Sequence, residues 1–263
     1  MVIYDLAIIQ NLFGPSKKVL NGLPNAVSIE EIEEDVLHDV QTYKEKISRF
    51  EEVCFNWELK RASIVLNKRF SSYNSSVRVL LDADFSLHAA KIEVCRELDD
   101  VETLEKQFTY RSIEERLSAK EFKCIWEQCM LNSGNQTSNL TIDEHFYSVQ
   151  TELGKGWEKS CIVFYNKNEP IGMSIPHIEP GTVSEGRLFY FGVMPYYRGK
   201  GVASQLHLQC LHMLKEMGAT YYIGSTHTSN EKMQRIFWRN NCSVKMEIEL
   251  YYKIFNEGQG KRK

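Results

Sequence analysis

No window of the 263 residues reaches the roughly 18 consecutive apolar positions that a membrane span needs, and residues 1–9 carry Asp5 without the basic start of a secretory leader. Neither a membrane nor a leader is expected. Positive charge is not in excess either: 32 lysines and arginines face 35 aspartates and glutamates, a net charge of −3 that leaves no basic field for nucleic acid. The Lys261-Arg262-Lys263 run reads as a short solvated tail. The seven cysteines, at 54, 95, 124, 129, 161, 210 and 242, include no CxxC pair and are odd in number. That argues against a disulfide framework and against a zinc site, so free thiols in the reducing cytoplasm are expected and no metal is. Disorder is not expected either: 43% hydrophobic and 25% charged content suits one large or two modest globular domains with a real core.

What the chain does have is concentrated between Leu188 and Asn230. Leu188-Phe189-Tyr190-Phe191-Gly192-Val193 is an aromatic run of strand length, closed by Pro195, which cannot donate to a ladder. Arg198-Gly199-Lys200-Gly201-Val202-Ala203-Ser204 then places two glycines before a helical pattern at Val202, Leu206, Cys210, Met213 and Met217, ended by Gly218. Glycines at a helix start let backbone N–H groups approach an anion, and first-turn donors have no intrahelical partner, so a phosphate fits there. The glycines alone serve an ordinary tight turn equally well, and the Gly-Lys-Ser/Thr of a P-loop is missing. Tyr221 to Gly224 reads as a following parallel strand, and Asn230 opens a helical stretch from Glu231 to Arg239.

Val193-x-Pro195, two residues, and Arg198-Gly199-Lys200-Gly201-Val202-Ala203 together resemble the acyl-CoA signature of the GNAT N-acetyltransferase superfamily, Q/R-x-x-G-x-G/A. Arg198, Gly201 and Ala203 stand in its three fixed places, the order of elements matches, and the likeness extends over about Phe108 to Phe255. The resemblance implies an α+β fold on a mixed sheet and acetyl-CoA as cosubstrate. It places the pyrophosphate on the backbone of Arg198, Gly199, Lys200, Gly201, Val202, Ala203 and Ser204. Pantetheine would lie in a split between parallel strands beside Phe191 and Val193, with Asn230 and Phe237 completing the cofactor side. Many members carry a tyrosine seven residues after that asparagine to protonate the leaving thiolate. Here the position holds Phe237, a ring with no proton to give, which leaves water, Tyr190 or Tyr197 as donor.

The implied reaction is acetyl transfer to a primary amine, which needs a base when the amine arrives protonated. Tyr190, Glu185, His177 and the neighbouring Glu179 are the candidates. Alternation along the strand leaves open whether the Tyr190 hydroxyl faces the acceptor or the core. The acceptor stays open among a small amine, an amino acid, an antibiotic and a protein N-terminus, and the sequence sets no oligomeric state. A CoA-binding sensor or partner module without chemistry is the alternative reading, with a nucleotide phosphate loop behind it.

Residues 1–104 are expected to form an N-terminal half-domain, a candidate degenerate and partial GNAT copy, and 105–263 the transferase domain. In the first half, Ser28-Ile29-Glu30-Glu31 resembles a capping box leading an acidic helix to Asp39; a second helical pattern runs from Tyr43 to Lys68, and strands from Val77 to Leu81 and from Lys91 to Cys95. The six carboxylates between Glu30 and Asp39 read as a solvated helix face. With no glycine loop of its own, this half should bind no second CoA. In the other half, a strand at Phe108 to Ser112 precedes helices capped at Ser118 and Thr141, with the polar loop 132–139 between them, and a hairpin of Cys161–Tyr165 with Ile171–Ile175.

Overall fold

The computed structural model describes residues 4–14, 19–30, 39–101, 108–135 and 140–255. The chain divides into two compact units, residues 1–92 with 246–263 and residues 93–245, and both boundaries fall inside strands, β4 (Ser86–Glu97) and β10 (Ser243–Ile254).

The first unit opens with α1 (Leu6–Phe13) and the antiparallel hairpin β1 (Val19–Gly22) and β2 (Ala26–Ile29). There follow α2 (Val40–Asn56), β3 (Arg61–Asn67) and α3 (Tyr73–Asp82). β2 lies parallel to β3, and β10 runs antiparallel along the other edge of β3. α2 turns Tyr43, Ile47, Phe50 and Cys54 inward at helical spacing, and these pack with Ile9, Phe13, Ile64, Leu66 and Leu80. Each fully buried side chain of this kind contributes about 1.5–3 kcal/mol.

Three expectations are corrected here. The helix that starts at Val40 stops at Asn56 rather than continuing to Lys68, and Glu58 adopts a φ of 54° before the chain extends into β3. β3 is bonded on both sides from Arg61 to Ile64, by β2 and β10, and Val65 and Leu66 continue the ladder with β10, a demand that only a strand meets. Val77 to Leu81 is helical, because Ser76, Val79 and Leu80 are buried at helix spacing and the short apolar run carries no period of its own. Ser28 lies in β2 opposite Ser63 and so caps no helix; α2, the next one described, is capped by Asp39. The remainder of the expected acidic helix falls on residues 31–38, outside the described residues.

The second unit contains the end of β4, then β5 (Thr109–Ser112), α4 (Ala119–Met130), α5 (Ile142–Leu153) and the single turn α6 (Trp157–Ser160). It continues with β6 (Ile162–Asn166), β7 (Glu169–Ile178), β8 (Glu185–Val193), a 3-10 turn at Pro195–Tyr197, α7 (Val202–Glu216), β9 (Tyr221–His227) and α8 (Glu231–Arg239). Strand order is β4-β9-β8-β7-β6-β5, with β5 to β8 antiparallel and β8 parallel to β9, so the sheet is mixed. Helices α4 and α5 begin where the capping patterns put them: Ser118 accepts from Glu121 N, and Thr141 and Glu144 cap each other reciprocally. They cover one face through Phe122, Trp126, Phe146 and Val149, while α7 covers the other through Leu206 and Cys210 against Ile162, Phe164 and Ile171.

Among the described residues, one order of elements runs twice along the chain. An antiparallel hairpin leads to a helix, a strand parallel to the hairpin's second strand, another helix and a long strand: β1-β2-α2-β3-α3-β4 in the first series and β7-β8-α7-β9-α8-β10 in the second. β3 and β9 have 7 residues each, and β4 and β10 have 12 each.

Candidate active site

β8 and β9 are paired through Glu185 with Tyr221 and Gly186 with Tyr222, and no pairing between them continues beyond that point. From Arg187 onward their facing edges part, which leaves unpaired backbone groups along β8 where an extended ligand can add as a strand would. On its other side β8 remains bonded to β7, but the register slips by one residue: Ser174 faces Phe191 while Pro176 faces Leu188, so β8 carries an extra residue at Phe189–Tyr190. That bulge breaks the alternation. Phe189 and Tyr190, although adjacent in sequence, both join the cluster under α4, while Leu188 and Phe191 join the cluster under α7.

Past β8 the chain turns through Pro195–Tyr197 into the glycine loop. Gly199 and Gly201 sit at φ 74° and 78°, and a β-carbon built on either would touch nothing within 4 Å. The glycines therefore serve backbone conformation. Gly201 is the N-cap of α7 and supplies no side-chain acceptor, so the first-turn N–H groups are left for a ligand. Lys200 places its ammonium 3.6 Å from the Tyr196 ring centre, and the Tyr197 hydroxyl donates to Glu169 at 2.6 Å.

Arg198 is held by carbonyls. Its Nε donates to Val193 O at 2.9 Å, Nη2 to Cys129 O at 2.9 Å, and Nη1 to Leu131 O and Asn132 O at 2.6 and 3.0 Å. The guanidinium thus ties the end of α4 to the end of β8. Across the opening, Asn230 caps α8 by accepting from Met233 N at 3.2 Å, and its amide donates to Thr226 Oγ1 and Asn135 Oδ1 at 3.1 and 3.2 Å. Gly134 packs so tightly on the Asn230 side chain that a β-carbon there would collide with it.

These elements enclose a cleft of about 630 Å3. Of the cofactor residues expected from the sequence, Phe191, Val193, Arg198, Gly199, Gly201, Ala203, Ser204 and Asn230 line it. Lys200 and Val202 adjoin it in the loop and the first turn of α7, and neither is among the lining residues. Helix α8 adds Lys232, Met233, Arg235, Ile236 and Arg239, one face at spacings of three and four. That face was visible as a helical period, but only once the helix start at Asn230 is fixed. Phe237 lies off it, 1% exposed and 5.6 Å from the His207 ring.

Tyr190 is the one expected catalytic candidate on the cleft wall. Its hydroxyl is buried and makes no hydrogen bond of proper geometry; burial, and then the Cys129 thiol, push its pKa up, against a smaller downward pull from Asn135 and Arg198. Burial likewise pushes the Cys129 thiol up to about 12. Among the described residues, the lining contains no carboxylate and no histidine. Glu185 and His177 stand at the far end of β8 and β7. Glu185 binds Arg187 Nε at 2.5 Å and accepts from Tyr221 at 3.1 Å, which holds its pKa below the usual range despite burial. His177 contacts Ile175 O and Glu179 at 3.3 and 3.4 Å.

Beneath α7 lies a buried polar cluster that the sequence did not signal. The Asn240 amide donates to Ser204 O at 3.0 Å and to His207 Nδ1 at 2.9 Å, which leaves Nε2–H to donate to the Tyr222 hydroxyl at 3.3 Å. Arg96 donates to Asn240 O at 2.7 Å. Full burial, with Arg96 adding to it, lowers the His207 pKa to about 3, so the ring is neutral.

Residues 121–240 match the family model described as acetyltransferase (GNAT) family. No curated protein matches the sequence. Among solved structures, a GCN5-related N-acetyltransferase from Sphaerobacter thermophilus aligns over 90% of this chain and 76% of its own, at TM-score 0.65 and 15% identity. A GCN5-related N-acetyltransferase from Kribbella flavida aligns over 95% and 94%, at TM-score 0.54 and 12% identity. A tandem GNAT protein from the clavulanic acid biosynthesis pathway aligns over 90% and 78%, at TM-score 0.56 and 9% identity. Matched by the family model and built on the GNAT fold, residues 121–240 of this chain are a domain of the GNAT acetyltransferase family.

Proposed function

We propose that the protein transfers an acetyl group from acetyl-CoA to a primary amine. The observation that carries this reading is the pairing of β8 with β9 at two residue pairs only, directly beside a helix start that has no side-chain cap. Pantetheine takes the open edge of β8 near Phe191 and Val193, and the pyrophosphate takes the N–H groups between Gly199 and Ser204, where the helix dipole favours a negative charge. Arg198 acts as a clamp that shapes this loop, since its nitrogens are already engaged with protein carbonyls. Tyr190 is the side chain retained at the acceptor end; Glu185 and His177 are left out because they do not reach the cleft. A CoA thiol with a pKa near that of free cysteine, about 8.5, leaves as a tolerable thiolate, so Phe237 in the family's tyrosine position lowers the rate without forbidding the reaction.

The same proposal keeps the transferase machinery within 105–263 and gives residues 1–104 no donor site. All seven cysteines are free, which supports a reducing, cytoplasmic setting. A second reading, a CoA-binding module without chemistry, is favoured by one observation: among the described residues, the cleft lining holds no carboxylate or histidine to act as base. Mass spectrometry of ligand retained through purification separates CoA from a nucleotide. Thiol release from acetyl-CoA over an amine panel separates the enzyme from the module, since only the enzyme releases thiol in an amine-dependent way.

A further inference from the structure

The polar cluster beneath α7 ties together two walls of the cleft. Asn240 follows the last residue of α8, where its N–H donates to Ile236 O and Phe237 O and its carbonyl accepts from Arg96. Its side chain reaches across to α7, with the amide nitrogen 3.0 Å from Ser204 O and 2.9 Å from His207 Nδ1. A carbonyl oxygen can only accept, so the Asn240 atom facing it is the NH2 group, and His207 presents an unprotonated Nδ1 to the second hydrogen. Both side chains are buried, so water does not replace a lost bond.

Ser204 is the third residue of α7 and lines the cleft. A carbonyl in the first turn of a helix accepts along the helix axis, and the Asn240 amide takes its second lone pair from the side. That sideways bond is not needed to form α7; it fixes where the first turn stands. The N–H of the same residue is among the donors that no carbonyl of the helix takes.

The imidazole that orients the amide is itself held by its neighbours. Nε2 donates to the Tyr222 hydroxyl of β9 at 3.3 Å, and the ring centres of Phe191 on β8, Tyr222 on β9 and Phe237 on α8 lie 5.6, 5.4 and 5.6 Å away. Phe191 lines the cleft, whereas His207 and Asn240 do not. The pair therefore meets β8, β9, α7 and α8 from behind the donor groove.

Resting on the transferase reading, we propose that Asn240, oriented by the neutral His207, is a positioning residue for the donor. It holds the N–H groups at the start of α7 at the spacing from β8 and α8 that the CoA pyrophosphate requires, and it touches neither the acceptor nor the reacting atoms. Without it the first turn shifts, and misplaced donors lower affinity while the chemistry is unaltered.

CoA affinity by calorimetry, acetyl-transfer kinetics and Tm are measured for wild type, Asn240→Ala, Asn240→Asp, His207→Leu, His207→Asn and Gln209→Ala. Asn240→Asp keeps the shape, but a carboxylate cannot donate to Ser204 O. Both Asn240 variants are expected to weaken CoA about tenfold, the order of one lost hydrogen bond, and to raise the KM of acetyl-CoA in step while kcat and the acceptor KM stay level. His207→Leu removes the acceptor that orients the amide and weakens CoA similarly. His207→Asn returns an acceptor near the place of Nδ1 and recovers most of that affinity, although Tm falls. Gln209→Ala is the control for stability alone. The buried Gln209 bonds Phe108 N and O at 2.9 and 2.8 Å from the middle of α7, so its loss lowers Tm and leaves CoA affinity level. Unchanged CoA affinity in Asn240→Asp, or an equal loss in Gln209→Ala, overturns the positioning role. So does a His207→Asn variant that binds CoA no better than His207→Leu. Failure of the wild type to bind CoA overturns the transferase reading itself, which is a different result from normal wild-type binding with unaltered variants.

Discussion

Gly201 and Asp39 stand at corresponding places, the N-caps of α7 and α2, and the difference between them decides which helix can take a phosphate. Asp39 caps its own helix: its carboxylate accepts from Gln41 N at 3.2 Å and Thr42 N at 3.3 Å, and the Thr42 hydroxyl, the largest influence, helps hold its pKa below the usual range. An anion is already in place there. Gly201 leaves the equivalent N–H groups open. Gly201→Asp should therefore reproduce the Asp39 arrangement and abolish acetyl-CoA binding by calorimetry. The fold should survive with a loss of about 1 kcal/mol, because aspartate tolerates the left-handed region and the space is open. Unchanged affinity in the folded variant would remove the loop from the site. His207 sets a pH dependence of stability. Its folded-state pKa, near 3, lies below the unfolded value near 6.5, so the unfolded chain binds the extra proton between those limits. Its contribution is complete above about pH 6.5 and is lost as pH falls, at up to about 1.4 kcal/mol per pH unit. Urea unfolding at pH 7, 6 and 5 should show this slope in wild type and a flatter one in His207→Gln. Equal slopes would contradict the neutral, buried ring.

At the scale of elements, Arg198 joins two of them. It replaces water at carbonyls of Cys129, Leu131, Asn132 and Val193, and lysine can reach only part of that set because it lacks the planar fork. Arg198→Lys should cost about 2 kcal/mol in urea unfolding and weaken acetyl-CoA binding through the loosened loop. Full stability in the variant would show that the clamp is not holding α4 to β8. The sequence showed the arginine by its place in the motif but not its four carbonyl partners, three of which come from a helix end more than sixty residues earlier. The same limit explains the other gaps. Capping residues at Ser118, Thr141 and Asn230 act on their own helix, so those starts were legible. The side taken by Tyr190 was not, because the bulge at Phe189–Tyr190 is a property of two strands together. Val77 to Leu81 carries no period of its own, since five apolar-rich residues fit strand and helix alike and the neighbours that bury Val79 and Leu80 lie in other elements.

At the scale of the molecule, one order of elements occurs twice among the described residues while the glycine loop occurs once in the sequence, so the account gives the chain one donor site. Calorimetry should find one acetyl-CoA per chain, and a stoichiometry of two would overturn the assignment of the first series as silent. Family membership was legible because the signature, from Val193 to Ala203, is local, and the family model finds residues 121–240 independently. The repeated order of elements was only faintly legible, since it resides in strand pairing and element length and not in shared motifs. The central claim, amine-dependent acetyl transfer, is tested most directly by following thiol release from acetyl-CoA over a panel of amines, with the acetylated product identified by mass and Gly201→Asp as control. The account predicts release that requires an amine, yields an N-acetylated product and vanishes in Gly201→Asp. Tight acetyl-CoA binding without release for any amine would contradict it.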